Sequence, residues 1–237
     1  MNLLSVNRLL SKFLHTKRMD PTQKGLLQEK CILVDKYDQV SGEATKNDCH
    51  LVKPNGEILL HRAFSVFLFN LKGELLVQKR ASSKITYPNR YTNTCCSHPL
   101  SDILEETEES NALGIKKAAQ RRLNYELGIP KEDLPLEKLK YLTRIHYKDK
   151  GDGKYGEHEI DYIIFAQNDV RLQANINEVS DLKYIKKEEF SNFIHRNKHQ
   201  LTPWFHLIVH HSLERWWDSL DNIEKFKDHQ NITRLKF

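Results

Sequence analysis

The sequence predicts one domain of mixed α/β (α+β) class. Short strand-like apolar runs recur along the chain, separated by Gly-, Asn- and Asp-bearing turns, and between them stand two long stretches with helical spacing. No internal repeat and no Pro/Ser-rich linker divides the 237 residues. Apolar residues make up 39%, enough for a sizeable core, and charged residues 29%, typical of a soluble domain. The formal charge is +5, but Lys and Arg are spread along the chain, so no nucleic-acid partner is expected. No apolar run approaches the roughly 18 residues of a membrane span, so no stable membrane insertion is expected either. The four cysteines, Cys31, Cys49, Cys95 and Cys96, do not make a disulfide framework in a chain of this length and read as reduced thiols of an intracellular protein.

The elements follow in order. "MNLLSVNRLLSKFLHTKR" carries five basic residues, counting His15, and no acid, with leucines at helical spacing. It resembles a mitochondrial transit peptide and serves equally as a basic, frayed helix; cytoplasm, peroxisome and mitochondrion all stay open. "KCILVDK" is a short strand before the turn-like "YDQVSG". "HRAFSVFLFN" and "ELLVQKR" are strands joined by "LKG", a hairpin signal. "SNALGIKKAAQRRLNYELGIP" is a helix with Ser110 and Asn111 as candidate caps and Gly128 and Pro130 as its stop. "KYLTRIHYK" and "EHEIDYIIFA" are strands flanking a Gly-rich loop, and "DLKYIKKEEF" is a strand running into a helix. "LTPWFHLIVHHSLERWWDSL" is a helix with Thr202 as N-cap and Pro203 at its first position; Val209, Leu213, Trp216 and Leu220 share one face, and Trp216 and Trp217 belong to the packing.

Five potential metal ligands lie in three places. His50 and His61 flank the entry to the first long strand, His98 closes "CCSH", and Glu157 and Glu159 stand in "GEHEI". Strand side chains two apart point the same way, so Glu157 and Glu159 share a face while His158 turns away with Ile160. Two adjacent carboxylates cost energy unless a cation sits between them, and imidazole with carboxylate suits Mn²⁺, Zn²⁺ or Mg²⁺. On spacing alone, an exposed edge strand with two solvated glutamates accounts for the same residues, because twelve histidines make chance triples easy.

The helix adds a second observation. "RRLNYELGI" is close to the core of the Nudix box, R-E-U-x-E-E-x-G-U, whose carboxylates hold Mg²⁺ against a diphosphate. Arg121, Leu123, Glu126, Gly128 and Ile129 match. Arg122 and Tyr125 replace two of its acids, and Thr107 and Leu113 stand where the upstream Gly and Glu belong. One carboxylate is left where a hydrolase uses several to activate water. Taken in order, "HRAFSVFLFN", "NTCCSHPL", "AAQRRLNYELGIP", "YLTRIHYK", "GEHEIDYI" and "TPWF" resemble type I isopentenyl-diphosphate isomerase of the Nudix superfamily, most nearly in its animal form, from about Glu29 to the C-terminus.

That resemblance implies a Nudix-like mixed sheet between helices. It sets an extension over 1–28, targeting or flexible, before a catalytic domain over 29–237 whose Nudix-like core spans about 59–206. It implies a monomer that interconverts isopentenyl and dimethylallyl diphosphate, small C5 diphosphates of isoprenoid and sterol synthesis. Cys96 and Glu159 carry over as the catalytic pair, with Cys95 of lesser consequence. His50, His61, His98, Glu157 and Glu159 carry over as ligands of a divalent ion, and Glu126 as the ligand of a Mg²⁺ shared with the diphosphate. Lys46, Arg80, Lys84, Ser97 and Arg122 fall at diphosphate-binding positions, Tyr147 and Trp204 in the pocket. The chemistry needs such residues. Protonating an isolated C=C makes a tertiary carbocation that water would trap, so the pocket must be dry, with an acid on one face and a base on the other. Cys96 is expected as a thiolate favoured by nearby cations, and the Trp204 indole is expected to stabilise the cation by roughly 1–2 kcal/mol. Two rivals stay in view: a Nudix-type diphosphate hydrolase, which the thinned box disfavours, and a zinc-stabilised binding module, which the lack of a C-x2-C pair disfavours.

Overall fold

The computed structural model describes residues 20–237, so the basic segment expected over residues 1–18 lies outside the described residues. Among the described residues no helix is long and apolar enough to cross a membrane. The chain enters through a short helix, α1 (Pro21–Leu26), which Asp20 caps by accepting from the Thr22 and Gln23 N–H groups. The hairpin of β1 (Lys30–Val34) and β2 (Val40–Thr45) follows, then a single helical turn, α2 (Lys46–His50), capped by Thr45. The domain start expected at residue 29 falls one element too late. Gln23 is buried and its amide donates to Asn177 O and Glu178 Oε1, so α1 packs on the domain. Its six mostly polar residues show no apolar periodicity from which this could be read.

The remaining elements are β3 (His61–Phe69), β4 (Leu75–Arg80), β5 (Tyr91–Thr92), β6 (Cys95–Ser97), the long helix α3 (Leu113–Leu127), β7 (Lys140–Asp149), β8 (Glu157–Gln167), β9 (Val179–Ile185), α4 (Lys187–Asn197), α5 (Pro203–Ile208), α6 (Glu214–Trp217) and β10 (Ile232–Arg234). All strands join one mixed sheet, and β3 is its spine. β3 runs parallel to β8 along its whole length, from His61↔Glu159 to Phe69↔Gln167. Its other edge is divided among three partners: β1 at Leu33↔His61, β6 at Phe64 to Val66, and β4 at Phe69↔Leu75 alone. The hairpin expected from "LKG" is therefore one pair deep. Because β6 already occupies that edge of β3, β4 turns off to pair with β9 and β5. β7 pairs antiparallel with β8 across the Gly-rich loop, and β10 adds in parallel to β7.

All nine residues of β3 are buried, because both faces of the sheet are covered. Phe64, Val66 and Leu68 point into a core completed by Ile115, Ala118, Ala119, Leu123 and Leu127 of α3. Phe67 and Phe69 point the other way, into Phe165, Phe205, Trp216 and Trp217. The apolar face expected from Val209 to Leu220 packs there too, but not on one continuous helix: a π-helical turn, Val209–Leu213, separates α5 from α6. Thr202 precedes Pro203 as expected, yet its hydroxyl donates to Thr92 Oγ1 and does not cap.

The caps expected of Ser110 and Asn111 are also unused. Asn111 and Ala112 sit at φ +52 and +54, and no side chain caps α3. Instead the helix start lies against the preceding turn, where the Gly114 N–H donates to Glu108 O. The C-terminus ends as the sequence predicts. Gly128 adopts φ +65, its N–H bonds Asn124 O, and the Ile129 N–H bonds Leu123 O. A Cβ at Gly128 would lie 2.6 Å from Gln173 O. Gly128→Ala is therefore expected to lose about 2 kcal/mol or more, from the left-handed backbone plus this clash. That corresponds to a fall of roughly 4–8 °C in Tm by thermal denaturation; an unchanged Tm would show that the Gln173 segment yields freely.

Candidate active site

Strand periodicity delivers the site. Glu157, Glu159 and Asp161 project from one face of β8, and the register sets His61 of β3 on one side of Glu159 and Tyr147 of β7 on the other. In β6, Cys96 faces Ser65 and Cys95 faces Val66. The adjacent cysteines thus point to opposite faces: Cys95 enters the core under α3, and Cys96 lines a pocket. α2 ends at His50 and β6 runs out into His98, which brings three imidazoles together with ring centroids 4.9–5.1 Å apart. The pocket holds about 600 Å³ of empty space, counting its open mouth, and among its walls are Lys46, Arg80, Lys84, Cys96, Ser97, His98, Tyr147, Glu157, Glu159 and Trp204.

Ligand atoms of His50, His61, His98 and Glu157 all lie within 4.8 Å of one another. His61 Nδ1 donates to Leu59 O (2.9 Å), which turns Nε2 toward the group. His50 Nδ1 donates to Gly156 O (3.1 Å); Glu157 Oε2 is 2.7 Å from the same nitrogen but off the N–H direction, so it gains no hydrogen bond. His98 Nε2 donates to Glu159 Oε1 (3.0 Å), and Tyr147 OH donates to Glu159 Oε2 (2.5 Å). His61 Nε2 and Glu157 Oε2 are left buried without a partner. Unpartnered imidazole nitrogen and carboxylate oxygen aimed at one point fit a divalent cation.

The protonation states divide the group. Burial pushes the Glu157 carboxyl well above the usual carboxylate range, with Glu159 adding to it. Burial works against the Glu159 charge too, but the nearby His61, its Nε2 3.5 Å from Oε1, and the hydrogen bond from His98 outweigh it and keep Glu159 ionised. His61 resists its own burial through Glu159 and rises to about 9, while burial holds His50 and His98 well below 6.5 and therefore neutral. Cys96 departs from expectation. Burial pushes its thiol up to about 12 despite Arg80, whose Nη1 lies 4.0 Å from Sγ, so the sulfur keeps its proton. Cations near a thiol lower its pKa only when they outweigh desolvation, and here they do not.

Arg80 lines the pocket, but its Nε and Nη2 are committed to the Thr86 and Tyr87 carbonyls. Lys84 donates to Glu178 Oε2 (2.6 Å), and Lys46 Nζ stands 3.7 Å from Glu29. Arg122, expected among the substrate-binding residues, is instead buried behind the wall. It donates to Glu126 Oε1 (2.6 Å) and reaches Glu178 Oε2 (3.3 Å), because two buried carboxylates need a counter-charge. Glu126 likewise sits behind the wall, its Oε2 accepting from Gln78.

Several site residues escaped the sequence reading. Asp161 continues the period of Glu157 and Glu159 and could have been found from it; it is buried and accepts from Ser65 Oγ (2.8 Å). Asn93 opens the cysteine motif without a visible role, yet its Oδ1 accepts from Trp204 Nε1 (3.0 Å) while its amide donates to Val66 O and Cys95 O. Glu178, held near pH 2 by Lys84 and Arg122 despite its burial, gave no sequence signal at all.

The NUDIX domain family matches residues 59–205. Isopentenyl-diphosphate Delta-isomerase 1 of Bos taurus is 48% identical over 223 residues, spanning 93% of this chain and 98% of that protein. Isopentenyl-diphosphate delta-isomerase of Candida albicans is 48% identical over 234 residues, 91% of this chain and 82% of its own. The chloroplastic isopentenyl-diphosphate Delta-isomerase I of Arabidopsis thaliana is 46% identical over 229 residues, 92% and 77% respectively. A solved protein of Deinococcus radiodurans superposes with TM-score 0.56 at 16% identity, over 78% of this chain and 99% of its own, a likeness of fold alone.

In the metal-free chain His61, raised to about 9, holds a proton at pH 7 that a bound cation must displace. Zn²⁺ or Mn²⁺ binding at pH 7 is therefore expected to release about one proton per ion or more, read from the buffer dependence of the calorimetric enthalpy. Because His61 binds its proton more tightly folded (about 9) than unfolded (6.5), metal-free stability should fall as pH rises from about 6.5 to 9. Glu157, raised by burial, acts in the same direction. A Tm of the chelated protein that rises across that window would contradict both assignments.

Proposed function

The chain belongs to the isopentenyl-diphosphate delta-isomerase family of NUDIX-domain proteins, and from that premise we infer that it interconverts isopentenyl and dimethylallyl diphosphate. The observation that carries the reading is a thiol and a carboxylate, Cys96 and Glu159, lining one pocket with an indole in its wall; burial keeps the first protonated and its imidazole neighbours keep the second ionised. In the forward direction the Cys96 proton adds to the terminal CH₂ of the alkene, which leaves the tertiary cation. Glu159 then accepts a proton from the carbon nearer the diphosphate, which closes the internal double bond. In reverse the two groups exchange roles. Tyr147, donating to Glu159 Oε2, orients that carboxylate. Trp204, fixed by Asn93, presents its indole to the cation. Lys46, Arg80, Lys84 and Ser97 line the pocket and would anchor the diphosphate, a group that does not react and so supplies binding energy for positioning.

The three histidines, Glu157 and Glu159 would hold one divalent ion, Mn²⁺ or Zn²⁺ being better matched to imidazole than Mg²⁺. When bound, it supplies a fixed positive charge that organises these side chains. Glu126, paired with Arg122 and Gln78 behind the pocket wall, would hold a Mg²⁺ shared with the diphosphate only by giving up part of that pairing. Hydrolysis is disfavoured because this single carboxylate is already neutralised by Arg122 and cannot also activate water. The catalyst is taken to be a monomer, as the family resemblance implies.

Incubation with isopentenyl diphosphate and Mg²⁺ in D₂O should put deuterium into the allylic product. Release of phosphate would point to a hydrolase, and no change to a binder. Cys96→Ala should lower turnover by roughly 10²-fold or more. Cys95→Ala should retain most of it, although its buried side chain makes it about 1 kcal/mol less stable. Comparable activity in the two variants would sink the assignment. Brief chelation should be reversed by Mg²⁺ alone. Prolonged chelation should empty the histidine site, so that Mg²⁺ alone restores little. Full recovery by Mg²⁺ after exhaustive chelation, with no tightly bound metal found by elemental analysis, would return Glu157 to a structural role.

A further inference from the structure

The loop between β4 and β5 is a partition. Ile85 and Thr86 line both the pocket described above and an outer cleft with about 1120 Å³ of empty space on their far side. Tyr87 follows them in the wall of that cleft, at φ +47. A bulky side chain seldom takes this conformation, because Cβ crowds the following carbonyl, and where one is held there the surroundings impose it. Three contacts do so. Arg80 Nε donates to Tyr87 O (3.2 Å), with Nη2 on Thr86 O (2.7 Å) and Thr86 Oγ1 (3.1 Å). Tyr87 OH donates to Asp149 Oδ1 (2.5 Å) at the end of β7. The ring packs edge-on against the Trp204 indole, centroids 5.4 Å apart and planes at 85°. Burial, with Glu157 and Asp149, raises the phenol well above its usual range, so it remains a donor. Trp204 is 4% exposed, and Asn93 holds its other end.

We propose that Tyr87 is a positioning residue that seals the reacting end of the pocket, its ring bracing Trp204 and closing the Ile85–Tyr87 wall against the outer cleft. The inference rests on the isomerase reading and gives the loop a chemical purpose. The tertiary cation has two fates. It loses a proton to Glu159 and becomes the alkene, or a water oxygen bonds to the cationic carbon and gives up a proton to solvent, leaving a tertiary alcohol diphosphate. Only exclusion of water separates them.

The test compares wild type, Tyr87→Gly and Tyr87→Phe with isopentenyl diphosphate and Mg²⁺ in heavy-oxygen water, the products being analysed by mass spectrometry. Gly suits the positive φ, so Tyr87→Gly removes the ring without straining the backbone; Tyr87→Phe keeps the ring and drops the bond to Asp149. Wild type should form only the allylic product. Tyr87→Gly should lower kcat roughly tenfold or more with a smaller effect on KM. It should also form labelled tertiary alcohol, and its tryptophan emission should shift red as Trp204 meets solvent. Tyr87→Phe should suppress the alcohol and recover most of kcat. Tyr87→Gly without labelled alcohol overturns the seal, and as much alcohol from Tyr87→Phe overturns its assignment to the ring. A wild-type protein that leaves the substrate unchanged overturns the isomerase reading and this inference together, an outcome distinct from the other two.

Discussion

Parallel pairing of β3 with β8 sets the position of every reacting group. With side chains alternating along both strands, the pair His61↔Glu159 commits Glu157, Glu159 and Asp161 to one face, and Ile160 and Ile164 to the other. A slip of one residue would send the carboxylates into apolar cores, so the register is enforced by burial on both sides of the sheet. A buried ionic cluster pins it further. Asp38, at φ +67 in the β1–β2 turn, accepts from Arg62 on β3, Arg144 on β7 and Tyr162 on β8. One side chain thereby ties the three strands that carry the site. Removing its charge would strip Arg144 of its carboxylate and leave the buried Arg62 only the exposed Glu109.

Low dielectric gives the pocket its chemical character. Burial opposes charge on Cys96, Glu157 and Glu159 alike; only Glu159, with His98 donating to it and His61 beside it, keeps its charge. The outcome is a proton donor and a proton acceptor of different elements in one cavity, which suits moving a double bond. The same logic explains the restraint of the Nudix helix. Glu126 and Glu178 are balanced by Arg122 and Lys84 in a buried network, so the one carboxylate left in the box is spent on the guanidinium that stands where the box has an acid. Fold and reaction separate at this point: the sheet is that of the superfamily, and the charge arrangement is not a water-activating one.

Much of this was legible in the chain itself, because it follows from local rules. Period two places Glu157 and Glu159 together. Gly128 ends α3 because the left-handed turn there favours a residue without a Cβ, and the motif order from "HRAFSVFLFN" to "TPWF" points to the family. Other features depend on what lands opposite a residue, and no local pattern contains that. The β3–β4 hairpin is one pair deep because β6, beyond a long loop, claims the same edge. Ser110 and Asn111 do not cap α3 because the preceding turn supplies a carbonyl first. Arg122 does not line the pocket, because Glu126 and Glu178, the latter remote in sequence, hold its guanidinium in a buried network. Cys96 is a thiol because its desolvation exceeds the pull of Arg80, a balance set by depth. Tyr87 is strained because Trp204, Arg80 and Asp149 converge on it from three separate elements. The sequence by itself determined which faces are apolar, where the helices stop and which residue types meet the chemistry; tertiary structure decided their partners, their charges and their access to water, because those quantities are set by distance and burial between segments far apart along the chain.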